Sequence, residues 1–117
     1  MTHKKFIITG ENLLTQISEF VRFYHMEAHE AEYPGGFIRV FEDYSFLNGN
    51  YVMTNLRLDT SESENNIVRI EIIVGGARTG FLTSFNWGSE KRRVNHFQKK
   101  LEEFCTTHSI RLDIENP

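Results

Sequence analysis

The chain of 117 residues holds one cysteine and two prolines, and it contains no long apolar run. Each scarcity excludes something. With Cys105 alone there is no intrachain disulfide, a pattern that suits a reducing compartment and leads to the expectation of a cytoplasmic protein. No stretch approaches the roughly 18 apolar residues of a membrane span, and nothing at the N-terminus resembles a signal peptide, so a soluble protein with no membrane partner is expected. Neither sign of charge dominates. Thirteen Lys and Arg against sixteen Asp and Glu leave a net charge of -3, which provides no global attraction to nucleic acid. What is present is 39% hydrophobic and 13% aromatic residues, enough for one compact domain over residues 1–117 with an aromatic-rich core. A chain of this size buries roughly two-thirds of its unfolded surface and needs neither metal nor disulfide to be stable.

The hydrophobic period changes along the chain. Lys4 to Thr9 reads as a short strand closed by Gly10. From Asn12, a plausible N-cap, Leu13, Leu14, Ile17, Phe20, Val21 and Tyr24 fall at helical spacing; Ala28 and Ala31 continue the stripe, and "YPGG" at Pro34 stops it. Strands follow. The Asn48-Gly49 pair predicts a type I′ hairpin joining Phe37–Leu47 to Asn50–Thr60. The polar stretch Ser61–Asn66 leads to a strand over Ile67–Val74, and Phe81–Trp87 is expected to return beside it. Val94, Phe97, Leu101, Phe104 and Cys105 then mark a second amphipathic helix with Ser89 as N-cap and Glu90 at its positive end. "SIRLDIE" reads as a short terminal strand or an extended tail.

The expected fold class is therefore α+β, in the order β-α-β-β-β-β-α with an optional last β. Two helices should bury their stripes on one face of a curved antiparallel sheet, as in TATA-binding-protein-like and helix-grip folds. That comparison concerns element order and carries no activity.

Four groups of residues invite chemistry. Gly75 and Gly80 have the spacing of a phosphate loop, but Phe81 and Leu82 replace its Lys and Ser/Thr and no helix follows at once, so a turn or bulge is the better reading. If the first helix persists to Glu32, then His25, His29 and Glu32 share a face and could ligate a metal, although Met26 stands where the metalloprotease helix has Glu. Cys105 lies on an apolar stripe and reads as an inert thiol; His96 and His108 have no visible nucleophile to activate, and Trp87 reads as a core or rim aromatic. The cations of "EKRR" and "QKK" precede Glu102 and Glu103, as on an ordinary solvated helix face.

The sheet carries the main departure from a bland pattern. Val68, Ile70, Ile72 and Val74 share one side, so the other side mixes Tyr51, Met53, Ile67 and Ile73 with Arg57 and Arg69. An apolar and arginine-bearing surface suits a protein interface, with a second copy as the leading partner. Small-ligand or nucleic-acid contact is the alternative on the same surface.

The aromatic-acidic strand "VFEDYS", the "NGN" hairpin, the paired glycines after "IEIIV" and the corner "NWGSE" give the chain a resemblance to an uncharacterised family of small proteins from Gram-positive bacteria, over Phe6 to Phe104. The resemblance implies a compact α+β domain and brings no activity, cofactor or catalytic residue. The sequence thus leads to a non-catalytic binding domain without cofactor, homodimeric through the open sheet face; a small metal-dependent enzyme using His25, His29 and Glu32 is the alternative.

Overall fold

The computed structural model describes residues 2–45, 50–76 and 86–115. Strand β1 (Thr2–Thr9) and helix α1 (Leu13–Tyr24) are followed by β2 (His29–Tyr33), β3 (Gly36–Ser45), β4 (Asn50–Asp59), a short 3₁₀ turn (Ser63–Asn65), β5 (Ile67–Gly76), α2 (Asn86–Thr107) and β6 (Arg111–Glu115). All pairings are antiparallel, in the order β2-β3-β4-β5-β1-β6. The fold is α+β, with the expected element order.

Several members of that order differ from the sequence reading. Helix α1 ends at Tyr24, where His25 turns extended, and residues 29–33 form an edge strand rather than more helix. Tertiary contacts outweigh the helical pattern here: β2 pairs with β3, and Glu30 binds Arg22 and Arg39. "PGG" accordingly closes a hairpin. Pro34 and Gly35 form the two-residue turn between Tyr33 and Gly36, with Gly35 at φ 96°, a conformation that L side chains resist. Gly36 is required by space, since a Cβ there would lie 1.9 Å from the Leu58 carbonyl oxygen.

The β3–β4 ladder pairs Phe37 with Leu58 and Ser45 with Asn50, two residues off the register expected from a two-residue Asn48-Gly49 turn; that turn lies outside the described residues. A slip of two leaves every side chain on its expected face. Residues 81–85 of the expected return strand also lie outside the described part, but Asn86 and Trp87 belong to α2, and both edges of β5 are taken, by β4 and β1. Ser89 is therefore inside α2 and not at its N-cap position. Asn12 does precede α1, yet through a left-handed backbone (φ 52°) with no side-chain cap bond. Gly75 is a strand residue opposite Met53 rather than part of a turn.

One core results. The inward side of the sheet (Phe6, Ile8, Val52, Leu56, Leu58, Val68, Ile70, Ile72, Val74) closes against Leu13, Ile17 and Val21 of α1 and Val94, Phe97, Leu101 and Cys105 of α2, all buried. Phe104 is partly buried against them. Helix α2 ends in a Schellman-type turn: Ser109 is left-handed (φ 57°) and the Ile110 amide donates to the Cys105 carbonyl at 2.8 Å. Ile110 then packs on Gly10 and delivers β6 to the edge of β1.

Two stability tests follow from this packing. Phe97→Ala should cost roughly 3–5 kcal/mol in urea unfolding. Gly36→Ala should cost roughly 1–3 kcal/mol because the hairpin must shift, whereas Gly75→Ala, with nothing within 4 Å of a new Cβ, should be neutral or stabilise by up to about 1 kcal/mol.

Candidate functional site

Burial of one sheet face leaves the other open, with no described element packed on it. Its residues form rows across the strands. One row runs Ala31, Ile38, Arg57, Glu71, Lys5, Glu115; the next runs Tyr33, Gly36, Asp59, Arg69, Ile7, Asp113. Val40, Asn55, Ile73 and His3 form the row above, and Ile67, Thr9 and Arg111 the row below. Ile38, Val40, Ile67 and Ile73 are half-buried, and Met53 is 42% exposed. Charge on this face is nearly balanced, with cations at Lys5, Arg57, Arg69 and Arg111 and anions at Glu42, Asp59, Glu71, Asp113 and Glu115.

Of the six expected contact residues, Met53, Arg57, Ile67, Arg69 and Ile73 share this face, and the Tyr51 side chain lies outside the described residues. They are not one apolar patch. Ile67 and Ile73 sit near opposite ends of β5, about 20 Å apart, with Arg69 and Glu71 between them. Both arginines have partners within the chain. Arg57 Nε donates to the Tyr33 hydroxyl at 3.1 Å, and its guanidinium lies 5.5 Å from that ring; Arg69 pairs with Glu62 at 2.9 Å. Glu71 meets His3 at 2.7 Å and Lys5 at 3.8 Å. Asp59 is held below its usual pKa by bonds from the Ser61 side chain and amide. A shallow depression of about 270 Å³ lies among Lys5, Arg57, Asp59, Arg69, Glu71 and Glu115.

Sequence reasoning missed His3, Lys5 and Ile7, because nothing in "HKKFIIT" says that β1 inserts beside β5. It also missed a polar cluster where α1 ends. There, His25 Nε2 lies 3.0 Å from Asp43 Oδ1, and Arg93 of α2 pairs with the other Asp43 oxygen. Arg93 Nη1 also donates to the Tyr24 hydroxyl at 3.0 Å, which leaves that phenol to donate to His96 Nδ1, 2.7 Å away. Burial raises the Tyr24 pKa; burial first, then Arg93 and nearby lysines, lowers that of His96. The His25 ring stacks on Phe41 at 4.1 Å, and its Nδ1 is buried without a partner. Asp43, with His25 and Arg93, thus ties the end of α1, β3 and α2 together, and the His25 and Asp43 side chains are about a quarter exposed.

The expected metal face is not assembled. His25 ends α1, while His29 and Glu32 lie three residues apart on a strand and so point to opposite faces. Among the described residues no group of three or more His, Cys, Asp or Glu could hold a metal ion. Cys105 is buried, and burial pushes its thiol up to about 11, the reverse of a reactive cysteine. A trough of about 450 Å³ on α2 gathers only Lys99, Glu102, Glu103, Thr106 and Thr107. No described helix is long and apolar enough to cross a membrane.

Fold and surfaces together define an α+β domain in which two helices cover one side of an open antiparallel sheet. The family model that matches residues 14–105 is that of a family of unknown function, DUF6054, and the chain belongs to it. No curated protein and no solved structure matches the chain.

The edge of β2 allows a pH test. Arg22 binds Glu30 at 3.0 and 2.9 Å and Arg39 binds it at 2.7 Å, which lowers the Glu30 carboxyl to about 2. Since the folded pKa is depressed, this contribution is complete above about pH 4.5 and fades as pH falls toward 2. Glu30→Gln leaves the buried Arg39 without its carboxylate and should cost on the order of 2 kcal/mol at pH 7. Urea midpoints of variant and wild type should converge between pH 4.5 and 2.

Proposed function

We propose that the protein acts by binding rather than catalysis, as a homodimer whose contact surface is the open face of the sheet, in a reducing cytoplasm. The observation that carries this reading is the make-up of that face: six apolar residues, Ile7, Ile38, Val40, Met53, Ile67 and Ile73, stand on the side away from the helices, interspersed with balanced charge. Single exposed apolar residues are ordinary; several on one sheet face favour a partner. Balanced charge favours a protein over a polyanion, whose binding needs an excess of cations.

Light scattering on the purified chain tests the proposal. The expected mass is twice 13.7 kDa, and Ile73→Asp should return the protein to monomer while its far-ultraviolet circular dichroism stays unchanged. A monomeric wild type would remove the dimer, and a dimer indifferent to Ile73→Asp would move the interface elsewhere.

A further inference from the structure

Resting on that reading, we infer that the second copy meets the open face about a twofold axis crossing the strands between the Arg57–Glu71 row and the Asp59–Arg69 row. The pattern of charge and apolar residues selects this axis. Rotation about it sets Arg57 against Asp59 of the other copy and Glu71 against Arg69, and symmetry repeats both, so four opposite-charge pairs form around the axis. The same rotation brings Ile73 against Ile67 of the other copy. Two isoleucines that are far apart in one protomer thereby cover each other at both ends of the charged centre. Long side chains from the second copy enter the shallow depression between Arg57 and Glu115.

The competing face-to-face arrangement has its axis along the strands, between β5 and β1. It also matches charges, with Arg57 facing Glu115 and Glu71 facing Lys5. However, it sets Ile73 against His3 and leaves β2 and β3 without any facing strand. The chosen axis gives each of the six strands a facing segment, short on β2, β3 and β4 (residues 31–33, 36–38 and 57–59), with Val40 and Met53 beyond the overlap. It also sets Lys5 against Ile7, and Glu115 against Asp113 at the sheet edge, where Arg111 already holds Asp113 at 3.0 Å. Packed sheets cross at about −30°, so the alignment is closest near the axis, and β4 and β5 are the two central strands of the six.

Cross-linking with a short bismaleimide tests the arrangement, because the buried Cys105 thiol is poorly reactive and introduced thiols dominate. Ile67→Cys mixed with Ile73→Cys should give a covalent dimer. Either variant alone should give none, since like positions stand about 20 Å apart along the strand. A covalent dimer from Ile73→Cys alone, or from Ile73→Cys mixed with His3→Cys, overturns the axis. So does a dimer in light scattering with no link in the Ile67→Cys and Ile73→Cys mixture, an outcome that leaves self-association standing; a monomer removes both. A second pair of variants avoids thiols. Arg69→Glu should weaken dimerisation about tenfold and added Glu71→Arg should recover it; equal weakening by single and double variants, with thermal midpoints unchanged, overturns the axis.

Discussion

Phe97 is the side chain on which the rest of the structure converges. It has no exposed surface, and its ring lies 6.0 Å from that of Phe6, 6.1 Å from Phe20 and 5.1 Å from Tyr24. One residue of α2 thus joins β1, α1 and the sheet floor. Aromatic contacts of this kind add to an already large burial term, so the position contributes more than one side chain's share of apolar area. Phe104 extends the same cluster, 4.7 Å from Phe20, and carries it toward the C-terminal end of α2.

Gathering both helices on one side has a direct consequence for the other. The inward face takes the aliphatic residues at every second position, and the outward face receives what remains: arginines, carboxylates, a lysine and a few isoleucines. Cross-strand ion pairs stabilise exposed sheet surfaces of this kind, and the network Lys5, His3 and Glu71 is one. Such pairs at a wet surface are individually weak. Their arrangement matters more than their sum: sign alternates along β4 and β5 and across the Arg57, Glu71, Lys5, Glu115 row, which is the basis of the self-pairing proposed above.

The polar cluster at the end of α1 has a different role. Asp43 on β3 gathers His25 from the end of α1 and Arg93 from α2, while Arg39 donates to the His25 carbonyl at 2.8 Å. Backbone that leaves a helix needs partners for its freed carbonyls, and here a buried guanidinium supplies one. The same contacts explain why the helical stripe continuing to Ala31 is not followed. Its local preference is a few tenths of a kcal/mol per residue, less than the bonds and strand pairing that replace it.

By itself the sequence determined the two amphipathic helices, the inward and outward faces of β4 and β5, and the α+β class, because those features depend on periods of 3.6 and 2 that each segment carries internally. The burial of Val94, Phe97, Leu101 and Cys105 was legible for that reason, as was the outward position of Met53, Arg57, Arg69 and Ile73. Only the tertiary structure decided that β1 lies between β5 and β6, that residues 29–33 form an edge strand, and that His25 meets Asp43 rather than His29. These outcomes depend on contacts between segments far apart in the chain. Lys5 and Glu71 are neighbours solely because β1 found β5, and no local pattern in either segment encodes that choice.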